Sequence, residues 1–290
     1  MIRTTVAAAA AAALLAPACA MDVDAGDYTT LPVGTNLFAA YYQNASRDAL
    51  YSRGERVPIN ARLDSQVGIL RGVHVFDLGG HSADVQVLLP FGRLKGKDDT
   101  ASLGSDSGSG DLLLAAALWF SQPGDRVHSG VTSFLSLPTG SYDRTRPLNL
   151  GENRWKLTLN GGVVAPLGDS LLLDLIGDVT VFGRNDDAND GAGGKTALTQ
   201  KPQLQLQAWL RHAVAPALDL RAGFSDSFGG ATKLGGVDQE NRQATTKFAV
   251  GGGWFFTPTT QLLATWGRDL HVRDGFRENN RVNLRLLQLF

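Results

Sequence analysis

The residues able to do chemistry in this chain are few, and their spacing keeps them apart. Five histidines (His74, His81, His128, His212 and His271) form no i, i+2 or i, i+4 pair, and the single cysteine, Cys19, offers them no partner. A zinc framework needs such clustering. His128 and Ser129 are adjacent, but neighbours on a strand point to opposite faces and cannot share a catalytic hydrogen bond. The stretch "GSDSGSG" at 104–110 comes near a nucleophile elbow, yet Asp106 stands where the serine should be, and no strand–turn–helix surrounds it. "NDDANDG" at 185–191 gathers carboxylates before a glycine without the spacing of a calcium loop. Both stretches read as solvated loops. No G-x-x-x-x-G-K-[ST] occurs. The expectation is no catalytic residue, no metal and no cofactor, hence not an enzyme; a lipase would need a base–nucleophile pair, and none is visible.

Charge is balanced at 27 Lys and Arg against 28 Asp and Glu, a net −1, so there is no basic excess to bring nucleic acid as a partner. The first twenty residues, "MIRTTVAAAAAAALLAPACA", combine a basic start at Arg3, an apolar run from Val6 to Leu15 and an Ala18-Cys19-Ala20 cleavage site. That predicts an exported chain with a signal peptide at 1–20 removed after Ala20. Cys19 would suit lipoprotein processing instead, but Ala16 stands where that signal wants Leu. Ordinary cleavage leaves no cysteine, so the mature protein must be stable without disulfides. No later run approaches the ~18 apolar residues of a spanning helix.

The elements that position the polar side chains are strands. In "PQLQLQAWLR", Leu204, Leu206, Ala208 and Leu210 take one face, while Gln203, Gln205, Gln207 and Arg211 take the other. The same alternation sets Leu218, Leu220, Ala222 and Phe224 against Asp219 and Arg221, and Leu157 and Leu159 against Lys156 and Asn160. Twelve strands are expected, near 35–45, 57–73, 84–93, 111–120, 127–137, 155–164, 170–183, 200–212, 217–227, 245–256, 260–269 and 281–290. Their connections alternate between short ("SQPGDR", "APLGDS", "AVAPA", "TPT") and long and polar (46–56, 94–110, 138–154, 184–198, 228–244, 271–280).

Loops sorted by length, on strands of about ten residues, predict an all-β fold: a closed antiparallel transmembrane barrel of the outer membrane, with short periplasmic turns and long extracellular loops. A soluble all-β protein also alternates but has no reason to sort its loops. Aromatics add two girdles, with Trp119, Phe120, Trp254, Phe255, Phe256 and Phe290 at the short-turn side and Trp155, Phe182, Phe224 and Trp266 at the long-loop side. The domain plan is then a signal peptide (1–20), a segment at 21–34 that is periplasmic or folds inward as a plug, and a barrel at 35–290.

The polar faces become the candidate lumen lining: Arg62, Asp64, Gln66, Lys156, Asn160, Asp174, Asp178, Gln203, Gln205, Gln207, Asp219, Arg221, Lys247 and Arg285. Both signs are present. These charges either pair across strands and fill the interior or form a selective pathway.

Several stretches carry a family likeness: "DYTTLPVGTNLFAAYYQ" (27–43), "VLLPFG" (87–92), "GDLLLAAALWF" (110–120), "PTGSYD" (138–143) and "LNLGENRWK" (148–156). With them the chain resembles exported proteins grouped as a meta-pathway phenol-degradation family. That resemblance implies an outer-membrane channel or transporter for passive uptake of small hydrophobic or aromatic compounds, with outer-membrane lipid as a partner. Likeness to outer-membrane proteins that end in an aromatic-terminated strand further implies that Phe290 is the signal read by the barrel-assembly machinery.

Overall fold

The computed structural model describes residues 22–290; the expected signal peptide and its cleavage site lie outside the described residues. The wall of the barrel is built from β1 (Asn36–Ser52), β2 (Ala61–Leu78), β3 (His81–Asp98), β4 (Leu113–Trp119), β5 (His128–Ser136), β6 (Lys156–Pro166), β7 (Leu171–Phe182), β8 (Gln203–Ala215), β9 (Leu218–Gly229), β10 (Gln243–Thr257), β11 (Thr260–Val272) and β12 (Gly275–Leu289). Every strand pairs antiparallel with its neighbours in chain order, and β12 pairs with β1 from Leu37↔Leu289 to Tyr51↔Gly275. The sheet closes as a 12-strand barrel with no edge to protect. Main-chain bonds between Asn36 and Phe290, at 2.9 and 3.2 Å, finish the seam.

Alternation decides the faces. Leu204, Leu206 and Leu210 are exposed on the outside of β8 while Gln203, Gln205 and Gln207 are buried within. Along β3, Val85, Val87, Leu89 and Phe91 face out, and Asp84, Gln86 and Leu88 face in. The tight turn between β2 and β3 needs positive φ at two successive residues, which Gly79 and Gly80 adopt at 63° and 89°.

At the long-loop end the strands run further than the alternation predicts. β1 continues to Ser52 and β12 begins at Gly275, so 271–280 is a tight turn on extended strands rather than a long loop. Above the lipid both faces meet water or loop, and polarity stops reporting the pleat although backbone pairing continues. Other loops carry structure of their own. Ser105–Ser109 folds back onto β3, and Asn185–Asn189, Lys195–Gln200, Thr232–Leu234 and Val237–Asp238 make a separate four-stranded sheet over the mouth.

Three aromatics assigned to the girdles lie off the exposed outer face: Phe182 and Phe255 are half-buried on the inward parity of their strands, and Trp119 is more enclosed still. Trp119 points inward, only 6% exposed, and its indole N–H donates to Asp84 at 2.9 Å. Phe120, Trp254, Phe256, Trp155, Phe224, Trp266 and Phe290 do lie exposed.

Candidate functional site

The interior of the barrel is occupied by residues 22–31, which turn tightly over 25–29 and leave Ala25 and Tyr28 at 2% and 3% exposure. The backbone N–H of Val23 donates to Gln207 at 3.1 Å and that of Gly26 to Asp174 at 2.5 Å. Arg221 returns a bond to the Ala25 carbonyl at 2.8 Å, and Gln205 donates to Asp22 at 2.8 Å. The Tyr28 hydroxyl reaches Asn160, Thr30 shares a 2.6 Å bond with Ser121, and the Thr30 N–H donates to His128 Nδ1 at 3.4 Å.

Ion pairs reinforce this tie. Asp27 bridges Arg71 at 3.0 Å and Arg285 at 2.6 Å, and Arg285 also holds Asp24 at 3.0 Å. Asp22 pairs with Arg281 at 2.7 Å and Lys247 at 3.7 Å. These groups are withdrawn from bulk water, so each depends on its partner far more than a surface pair does. Apolar packing completes the seat: Val23, Ala25 and Tyr28 cluster with Trp119, Val164, Ile176 and Trp209. Gly162 makes the close approach of Tyr28 feasible, since a Cβ there would overlap the phenol ring.

The candidate residues therefore separate into groups. Asn160, Asp174, Gln205, Gln207, Arg221, Lys247 and Arg285 all meet the N-terminal segment. Asp219 acts one step back, holding Arg221 at 2.7 Å. Asp178 is buried in the same interior, and among the described residues neither of its carboxylate oxygens has a hydrogen-bond partner. Gln203 and Lys156 face inward but nearer the mouth, where they bond Gln243 (2.9 Å) and Glu152.

Arg62, Asp64 and Gln66 are corrections. They lie on the outer face of β2, opposite the buried Ala61, Leu63 and Ser65. Their physical reason is an inversion of faces at the lipid boundary. Near the mouth Leu63 packs inward against Leu103 and Leu148 of the loops, while the outer face is in water. Further down the same strand the usual order returns, with Leu70 outside and Arg71 inside. Sequence reasoning missed Arg71, Arg281, Asp22, Asp24, Asp27 and Tyr28. Parity counted from Leu70 would have found Arg71, but no local pattern announces its partner Asp27, 44 residues away.

The long loop at 138–155 is fastened over the mouth by carboxylates. Asp111 accepts from the N–H groups of Gly140 and Glu152, both at 2.9 Å, and Asp106 accepts from Leu150 N–H at 3.0 Å and Arg146 at 3.1 Å. Glu152 binds Arg154 at 2.7 Å and also Lys156; Arg154 in turn donates to Gln200 at 2.6 Å and stacks over Phe182 at 4.8 Å. Burial opposes ionisation of Glu152, but the Lys156 ammonium and Arg154 guanidinium outweigh it and hold the carboxyl below its usual range.

A closed barrel with an apolar outer band, a polar interior and length-sorted loops is an outer-membrane β-barrel. Residues 46–286 match the family model described as "Putative MetA-pathway of phenol degradation", and the chain belongs to that family. It is also similar to an outer membrane channel from Pseudomonas putida F1, known from its crystal structure, at 39% identity and a TM-score of 0.88 over 93% of this chain and 100% of that one. The β domain of the Bordetella autotransporter BrkA matches with a TM-score of 0.55 and 11% identity, over 89% of this chain and 100% of that one, a likeness of fold alone. No curated protein matches the chain.

Proposed function

We propose that this protein is an outer-membrane channel for passive uptake of small, weakly polar aromatic compounds, with residues 22–31 acting as the stopper of its lumen. The observation that carries it is the neutralised interior. Asp22, Asp24, Asp27, Asp174 and Asp219 are matched by Arg281, Arg285, Arg71, Arg211 and Arg221, which cancels most of the charge that would draw in ions of one sign. Size and polarity are then the filters. A twelve-strand lumen is narrower than that of a sixteen-strand porin, and the peptide segment it holds narrows it further, which disfavours large sugars and peptides. Family membership and the likeness to an outer membrane channel support the same reading. Small hydrophobic solutes ask for little polar hydration on the way, and neither ATP nor a cofactor is required for movement down a gradient.

A barrel with a purely structural or adhesive role is the second reading, favoured by the occupied lumen itself. Uptake of labelled benzoate into proteoliposomes at neutral pH separates the two. Entry faster than into empty liposomes, rising further on deletion of residues 22–31 and altered by Lys156→Glu, is the expected result. Rates equal to empty liposomes in all three proteins would leave the structural reading standing.

A further inference from the structure

Outside the lumen, the outer face of β3 carries a charge pattern that passive uptake does not use. Val85, Val87, Leu89 and Phe91 form its lipid-facing row, each between 44% and 49% exposed. Continuing towards the extracellular rim on the same face come Arg93, Lys95 and Lys97. Each step of two residues rises ~6.7 Å along a strand. Arg93 therefore stands one step beyond the last lipid-facing aromatic, at headgroup level, with Lys95 and Lys97 above it.

The neighbouring strands complete the patch. On β2, Arg62, Asp64 and Gln66 pair with Lys97, Lys95 and Arg93, on the same outer face. On the other flank, Ser105 and Ser107 pair with Lys95 and Arg93 and are exposed there. Asp64 is the acid within the patch, and its carboxylate is already engaged by Lys97 at 2.5 Å and Arg62 at 3.4 Å. Arg93 and Lys95 make no ion pair or side-chain hydrogen bond among the described residues, and both are exposed. Two free cations flanked by hydroxyls and an amide suit a doubly charged, oxygen-rich anion such as a phosphate monoester.

We infer that Arg93 and Lys95, with Ser105, Ser107 and Gln66 beside them, bind the phosphate of a phosphorylated glycolipid in the outer leaflet, whose acyl chains lie along Leu89 and Phe91. A soluble anion would have no use for the apolar row directly below the cations. A lipid headgroup uses both, because the strand presents charge and hydrocarbon contact at the spacing of a headgroup above its chains. This holds whatever the lumen carries.

Binding of rough-type lipopolysaccharide to the detergent-solubilised protein, read by native mass spectrometry, tests it. The probes are the intact lipid, the same lipid after enzymatic removal of its phosphates, and inorganic phosphate. The proteins are wild type, an Arg93→Glu/Lys95→Glu pair and the milder Arg93→Gln/Lys95→Gln pair, each first shown to be folded by heat-modifiable migration on gels. Wild type should hold the phosphorylated lipid at least tenfold more tightly than the dephosphorylated one, and both variants should lose that preference. Equal binding of the two lipids, retention of the preference in the variants, or displacement of the lipid by equimolar inorganic phosphate would each overturn the assignment.

Discussion

At the scale of single residues, Asp27 does the most with one side chain. It lies between Arg71 on β2 and Arg285 on β12, so one carboxylate joins two strands and the N-terminal segment. Replacing it with alanine leaves two guanidinium groups short of a partner, though Arg285 keeps Asp24 and Arg71 keeps Tyr41 at 3.0 Å. Removing one member of a buried pair costs ~3–5 kcal/mol, and those remaining bonds place this case at the lower end. Amide exchange over residues 22–31 should then speed up by about a hundredfold in Asp27→Ala. Exchange within a factor of three of wild type would show that the apolar contacts of Tyr28 and Val23 seat the segment unaided. None of this was legible from spacing. The acids of 22–27 look like any solvated run until the fold delivers arginines from positions 71, 221, 281 and 285.

Elements were far more readable, because lipid and lumen impose opposite demands on alternate residues. All twelve wall strands occur within a few residues of where alternation placed them, except where strands climb beyond the membrane. Arg62, Asp64 and Gln66 failed for that same reason: above the lipid, polarity no longer marks the inside. The boundary makes a depth-dependent prediction. Leu220 and Leu206 are both lipid-facing, at 54% and 58% exposure, but Leu206 sits directly across from Asp226, an exposed acid beyond Phe224. Leu220→Arg should cost ~2–4 kcal/mol in reversible folding into lipid vesicles, and Leu206→Arg no more than ~1 kcal/mol. Equal penalties would mean the hydrocarbon band reaches higher than Asp226 allows.

The loop at 138–155 has its own pH signature. Glu152 titrates below its ordinary 4.5 in the folded protein, so its tie is complete above that pH and is lost only as pH falls through the lower folded value. Limited proteolysis within this loop should be faster for Glu152→Gln than for wild type at pH 7. The gap should persist at pH 5 and close in strong acid. A gap that has vanished by pH 5 would contradict the depressed carboxyl.

For the whole molecule, the wall and its contents are separable in principle. Barrel closure rests on main-chain pairing from Leu37↔Leu289 onward, none of which involves residues 22–31. Deleting that segment should leave a heat-modifiable, membrane-inserted barrel whose single-channel conductance in planar bilayers is several times that of wild type. Loss of the folded band would instead make the segment part of the wall's stability, in the manner of a core. The global architecture was legible because loop lengths and face polarity repeat around the ring. The contents of the lumen were not, since they depend on contacts between distant positions in the chain.

The pairing of Arg285 with Asp24 and Asp27 spans 261 and 258 residues, close to the full reach of the chain. Contacts so remote in sequence carry the largest loop-closure cost and form only after shorter-range pairing has gathered their ends. Arg285 belongs to the last strand of the ring, whereas the two aspartates precede the first. A nascent barrel still lacking β12 offers Asp27 only Arg71 and lacks the guanidinium that pairs with Asp24, so the segment is tied there at fewer points. Full seating of residues 22–31 is thus a completion mark, because the bridge from Asp24 and Asp27 to Arg285 can form only once the last strand of the ring is in place.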